Sequence, residues 1–309
     1  MKKQTWKKSA ALGVALTLAA GASAPWAVIT PAAAAQGASQ QSVFERFEEL
    51  VRQPETLDYA RKYLLNRIDE TNKHEATVMT LHLENAQEAE MDEALAWIEG
   101  REAQQAIGDA WAETGSGTYT ALLGAIDDEE LRAILMDIRD RGYKIATSEG
   151  MYFPVINYSE YARYAPYIRP DIAAYAALKA IEANDPSIGD AALRISHAEL
   201  LDRALAYEDF LGTYAVSNRR GEVEDMLQLA RLFLFYGPNN TPLFGYETAK
   251  ANEKALDAYR SAIEEHGTTD SELLATLEQF LELLEQTDGE RTDEVDAFLE
   301  EHVPNEYPS

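Results

Sequence analysis

A chain of 309 residues, 46% of them apolar, is long and hydrophobic enough to bury a substantial core, which excludes a disordered tail. Its 54 acidic side chains outnumber 27 lysines and arginines, for a formal net charge of −27. Such a surface repels nucleic acid and anionic membranes, whose binding rests on neutralising phosphate with cations. The absence of cysteine excludes disulfides and a lipid-modified N-terminal cysteine.

Four lysines stand within the first eight residues, a largely apolar run follows from Ala10 to Ala24, and Ala33-Ala34-Ala35 precedes Gln36. Together these read as a secretory signal peptide over residues 1–35, cleaved after Ala35. The competing reading is an uncleaved anchor. It is disfavoured because Ser23, Pro25, Thr30 and Pro31 interrupt the segment and alanine outnumbers leucine in it. Cleavage removes four lysines and no acid, leaving 23 basic residues against 54 acids and a net charge of −31. The expected location is therefore secreted or associated with the cell wall.

The rest reads as helical almost throughout, in an N-terminal region (36–142) and a C-terminal one (143–309). Ser42 is placed to cap a helix carrying Val43, Phe44, Phe47, Leu50 and Val51, and Pro54 separates it from a second helical stretch over 55–71. Gly115-Ser-Gly117 joins two further helical stretches. Asp127-x-x-Glu130 reads as a capping box for a helix carrying Leu131, Ile134, Leu135 and Ile138, closed at Gly142. Pro170 suits the first turn of a helix with Ile172, Tyr175, Leu178 and Ile181 along it. Ser196-x-x-Glu199 and Thr269-x-x-Glu272 give the same start signal before later helices, and Leu232-Phe-Leu-Phe-Tyr-Gly-Pro238 ends one. With no series of alternating strands in view, the fold class is all-α, a multi-helix array of helical hairpins. A shift of 52 residues lays Tyr207 and Leu211 over Tyr259 and Ile263, a loosely tetratricopeptide-like repeat in the C-terminal third.

Ser148 to Pro170 holds five tyrosines and a phenylalanine. Its three prolines forbid one regular helix, so an ordered loop with a helical turn over 159–164 is expected. On an α-helix, Tyr158, Tyr161, Tyr164 and Tyr167 form a slowly drifting stripe. These residues, with Tyr152 and Phe153, are candidates for a recognition surface, since tyrosine joins a flat apolar face to a hydroxyl at low entropy cost. The plainer alternative is that the rings pack the connection onto the helices. Asn239 and Asn240 are candidate ligand contacts, with turn chemistry as the plain alternative.

Glu149-Gly-Met-Tyr-Phe-Pro-Val-Ile-Asn-Tyr158 and Asn239-Asn-Thr-Pro-Leu-Phe244, across residues 140 to 285, resemble a group of exported helical proteins of Bacillus-like Gram-positive bacteria to which no activity is assigned. The resemblance implies a Gram-positive exported protein and carries no catalytic residue across.

The five histidines form no H-E-x-x-H pair, and no nucleophile elbow, phosphate loop, dinucleotide fingerprint or calcium loop is present. No metal or cofactor is therefore expected, and no complete catalytic motif is found. Fourteen acids against one arginine over 264–301 read as solvated helix faces. The function expected is an exported, non-catalytic binding or scaffold protein for a partner protein, peptide or wall polymer. The alternative is an enzyme on wall or extracellular polysaccharide, with Glu149 and Asp171 as carboxylates beside Tyr152. Expressed in a Gram-positive host, the chain should be recovered outside the cell with Gln36 as its first residue by N-terminal mass spectrometry. An intact chain held in the membrane would reverse this reading.

Overall fold

The computed structural model describes residues 43–305, all within one compact unit. The signal peptide, its cleavage point at Ala35 and the Ser42 cap lie outside the described residues. The fold is predominantly helical. In chain order the elements are α1 (43–51), α2 (Leu57–Arg67), α3 (Lys73–Ala89), α4 (Met91–Ala96), α5 (Arg101–Thr114), α6 (Tyr119–Ala125) and α7 (Glu129–Asp140). Strands β1 (Tyr143–Ser148) and β2 (Met151–Ile156) follow, then a 3₁₀ turn (Tyr158–Arg163) and α8 (Pro170–Asn184). A minimal pair, β3 (Ile188–Gly189) and β4 (Ala192–Leu193), leads to α9 (His197–Thr213), α10 (Arg220–Phe235), α11 (Glu253–His266), α12 (Glu272–Gln286) and α13 (Asp293–His302). No helix among the described residues is long and apolar enough to cross a membrane.

Start and stop chemistry explains most boundaries. Ser196 caps α9 by accepting from the Glu199 amide, and Pro170 opens α8 at a position where its missing N–H is no loss. Two expected caps move. Asp128, not Asp127, accepts from the Glu130 and Leu131 amides, and Ser271, not Thr269, accepts from Leu274. In each case the true cap lies nearer the apolar run, where its side chain reaches the N2 or N3 amide. Hairpins α9–α10 and α11–α12 fall where the repeat placed them, and their second helices begin 52 residues apart, at Arg220 and Glu272.

The antiparallel β1–β2 hairpin corrects the reading of 148–156 as loop. Ser148 pairs with Met151 across Glu149 and Gly150, whose φ values of 53° and 77° make the two-residue turn that matches strand twist. This register places Pro154, opposite Ile145, at a position whose amide site faces away from β1, so proline removes no ladder bond. The adjacent outward groups confirm the phase: the Tyr152 amide donates to Gln104 Oε1 at 2.8 Å, and its carbonyl accepts from Gln104 Nε2 at 2.7 Å. The β3–β4 pair turns in the same way through Asp190 and Ala191, both at φ 53°.

Two apolar cores share one wall. The first gathers α1–α7, the hairpin and the tyrosine turn around Phe47, Leu64, Met79, Ile98 and Leu135. The second gathers α9–α13 around Leu201, Phe235, Leu277 and Phe280. α8 serves both, giving Ile172 and Ala176 to the first and Tyr175 and Leu178 to the second.

Gly142, where α7 passes into β1, has φ 96°, and a Cβ there would lie 2.2 Å from Gln87 Nε2. Gly150 has φ 77° with nothing within 4 Å of such a Cβ. In urea unfolding, Gly150→Ala should lose about 1–2 kcal/mol from its left-handed backbone alone. Gly142→Ala should lose about 1–3 kcal/mol more, since it also displaces the Gln87 bond. Equal losses would show that contact with Gln87 does not constrain the site.

Candidate binding site

The tyrosine segment does not form one exposed face. A 3₁₀ helix has three residues per turn, so side chains three apart eclipse one another rather than drift. Tyr158, Tyr161 and Tyr164 therefore point the same way, into the first core, at 6%, 4% and 2% exposure. Successive ring centroids lie 5.3 and 5.5 Å apart. Tyr167, beyond the turn, is 39% exposed. The helical turn is where it was expected, but Tyr161 and Tyr164 are closed off from any ligand and Tyr158 shows no more than an edge.

The Tyr158 and Tyr161 hydroxyls end on two buried side chains of α3. Tyr158 donates to Glu84 Oε1 at 2.8 Å, and Tyr161 donates to Gln87 Oε1 at 2.5 Å. Gln87 Nε2 donates to the Arg141 carbonyl at 2.7 Å, and the Gln87 carbonyl accepts from Tyr143 at 2.6 Å. The other Glu84 oxygen accepts from Arg219 Nη2 at 2.7 Å, with Arg219 also bonded to Asn85 and Glu222. The Arg219 guanidinium lies 5.5 Å over the Tyr175 ring, and the Lys179 ammonium lies 5.3 Å over Tyr158. Burial pushes the Tyr158, Tyr161 and Tyr175 phenols well above their ordinary range and Tyr164 up to about 12, so all four are neutral at physiological pH.

Strand alternation separates Tyr152 from Phe153. Tyr152 turns to α5, where its ring centroid is 5.5 Å from that of Trp111 and its edge fills the space beside Gly108. Phe153 turns the other way, with Val155, and lines a cleft between the hairpin and the C-terminal half of α8. This cleft has a volume of about 500 Å³. Its apolar wall comes from Met91, Ala146, Phe153, Val155, Ile188 and Met226, and the edge of Tyr158 reaches it. Glu88, Lys179, Glu182 and Arg194 add charge. A second chamber of about 340 Å³, lined by Leu200, Tyr207, Leu229 and Phe233, adjoins it and shares Glu182, Ile188 and Met226.

Asn239 and Asn240 are exposed and lie outside this cleft. Asn240 donates through its amide to the Ala191 carbonyl at 2.7 Å and through Nδ2 to the Asp190 carbonyl at 2.6 Å. Asn239 accepts from the Tyr246 hydroxyl. Asp190 Oδ1 in turn accepts from Ser148 Oγ and the Glu149 amide at 3.3 and 3.2 Å. Asn240 thus holds the β3–β4 turn, whose Asp190 ties it to the β1–β2 turn, while Asn239 holds Tyr246.

Glu149 and Asp171 do not come together. Glu149 is tied to Asp190, beyond the C-terminal end of α8, whereas Asp171 is buried in the first turn of α8 and accepts from Arg169 at 3.0 Å. The intervening helix alone spans about 20 Å at 1.5 Å per residue. Among the described residues no cluster of histidine and carboxylate side chains is arranged to hold a metal. His82 bonds Glu48 at 2.6 Å, and His197, at the start of α9, is half-buried.

The cleft lining was not marked by motif. One usable signal was the alternation Tyr143-Lys-Ile-Ala146, which puts Lys144 and Ala146 on one face and Tyr143 and Ile145 on the other, followed by Glu149-Gly150 as a turn.

Arg219→Ala strands the Glu84 carboxylate in the interior and should lower urea-derived stability by about 3–5 kcal/mol. Tyr158→Phe removes one donor and should cost about 1–3 kcal/mol. The double variant Glu84→Gln/Arg219→Ala should recover part of the arginine loss, and simple additivity of the two single changes would show the pair to be uncoupled.

No protein-family model, no curated protein and no solved structure matches the chain, so function rests on the cleft itself.

Proposed function

We propose that this chain is an exported, non-catalytic binding protein of the cell envelope or extracellular space, and that its ligand enters the cleft between the β1–β2 hairpin and α8. The observation that carries this reading is the cleft itself. It is concave, of small-molecule size and mostly apolar, with a few charged groups converging on it. Its walls are rigid elements, since the hairpin is fastened to α5 through Gln104 and to α8 through Lys144, which donates to the Ala183 carbonyl and to Asn184 Oδ1. Of the residues expected from sequence, Phe153 and Tyr158 belong to this site. Tyr161 and Tyr164 support it from behind. Tyr152, Tyr167, Asn239 and Asn240 serve elsewhere.

The polysaccharide-cleaving alternative loses the two carboxylates named for it, because they sit at opposite ends of α8. Export is supported by the lysine-rich start, the apolar run and the alanine triplet. A tetratricopeptide-like stacking of the C-terminal hairpins belongs to the same reading and is supported by α9 packing on both α10 and α11.

The test is uptake of the neutral apolar dye Nile red by residues 36–309. Saturable binding is expected in the native protein, weakened about tenfold or more by Ala183→Trp, which fills the cleft, and unchanged by Tyr167→Ala, which lies outside it. Circular dichroism checks that both variants are folded. Binding that survives Ala183→Trp in full, or an absence of native-state uptake, would overturn the assignment.

A further inference from the structure

The charges around the cleft are not equivalent. Glu182 is committed to the protein: Oε2 accepts from Arg203 Nη1 at 2.9 Å and from Ser187 Oγ at 2.7 Å, and Oε1 accepts from the Ser187 amide at 2.8 Å. Glu88, at the end of α3, is held above the usual carboxylate range by partial burial and by the neighbouring Glu84 carboxylate, against the opposing pull of Lys179 and Arg219. The two cations are available. Among the described residues neither Lys179 nor Arg194 has a carboxylate within ion-pair distance, in a chain where most buried or half-buried arginines are paired. Lys179 is poised over the Tyr158 and Tyr175 rings at 5.3 and 5.9 Å. Arg194 passes close over Gly189, where a Cβ would stand 2.5 Å from its Cδ, so its position depends on the β3–β4 turn.

Behind these cations lies space suited to a chain rather than a compact ring system. The adjoining chamber is walled by Leu200, Tyr207, Leu229 and Phe233, and it shares Glu182, Ile188 and Met226 with the cleft, of which Met226 alone is a flexible apolar chain. Methionine is unbranched and adaptable, able to swing aside for an aliphatic guest. Resting on the cleft as the binding site, we propose that the ligand is a straight-chain amphiphile with an anionic head, its head group set between Lys179 and Arg194 and its tail passing Met226 into the chamber. The net charge of −31 on residues 36–309 keeps the protein off an anionic bilayer, so the source is free amphiphile rather than membrane lipid.

Calorimetry below the micelle threshold, with residues 36–309, decides this. Dodecanoate should bind more tightly than dodecanol, and dodecyltrimethylammonium at least tenfold more weakly than dodecanoate. Affinity should rise about fourfold per methylene from hexanoate upward until the chamber is full. Arg194→Gln, at an exposed position outside both cores, should weaken dodecanoate about fivefold and leave dodecanol unchanged. Met226→Trp should remove the gain from the longer chains while sparing hexanoate. Equal binding of acid and alcohol, or tighter binding of the ammonium, would overturn the head-group assignment while leaving the cleft in place. Failure of all three chains to bind a protein that still takes up Nile red would overturn the aliphatic assignment. Loss of both chain and dye binding would instead bring down the cleft reading beneath it. Co-flotation with phosphatidylglycerol vesicles would overturn the free-amphiphile source.

Discussion

The fold turns on one buried ion pair. Glu84 belongs to a helix of the first core, and Arg219 stands at the entry to α10 in the second, so their 2.7 Å contact fastens the halves together across α8. Removing two charges from water is expensive, and their attraction offsets that penalty only when every remaining lone pair and proton is used. Here the glutamate is also met by Tyr158, while the arginine reaches Asn85 and Glu222 and rests on Tyr175, although its Nε stays buried without a hydrogen-bond partner. What such an arrangement supplies is specification more than stability. Two apolar cores sharing one helix can slide or rotate past each other at little cost, whereas a buried carboxylate has a single position in which it is satisfied.

The tyrosines acquire their meaning from that constraint. Their three-residue spacing is a 3₁₀ period, and the turn that realises it drives three rings into the first core, two of them with hydroxyls on α3. Tyr158 ends on Glu84 and Tyr161 on Gln87, one helical turn apart, so the turn and α3 are keyed together in register. An aromatic-rich segment that suggests recognition is here an internal fastening, and it positions Phe153 and Val155 just upstream to face open space.

Much of the helical architecture was legible from residues alone. Ser196, Pro170 and the Gly142 stop act locally, through amides within one turn, and local chemistry can be read from a linear string. The starts of α10 and α12, 52 residues apart, were readable for the same reason, because each amphipathic run is a local pattern. The hairpin at 143–156 was obscured by Pro154, which ordinarily argues against a strand. Only the register set by Glu149-Gly150 shows that its missing amide faces away from the partner. The candidate site was less legible still. Phe153 and Tyr158 were among the residues singled out, but Lys179 comes from α8, Arg194 from the segment after β4 and Met226 from α10. No spacing rule connects them, and their convergence depends on α8 being shared.

That sharing also explains why open space occurs where it does. A helix serving two cores offers only limited width to each. Along its first half, Ile172, Tyr175 and Ala176 are covered on both sides. Toward its end, small Ala180 and Ala183 and the stems of Lys179 and Glu182 leave the hairpin and α10 too far apart to meet. The hairpin cannot move in to fill the gap, since Gln104 holds its outer edge to α5 and its turn is tied to Asp190. Closing the gap would require breaking satisfied hydrogen bonds to gain a modest area of apolar contact, and buried polar bonds left unmade are the greater penalty. The cleft is therefore the place where two packing solutions meet without interdigitating, and cations set at such a seam remain free to meet a ligand.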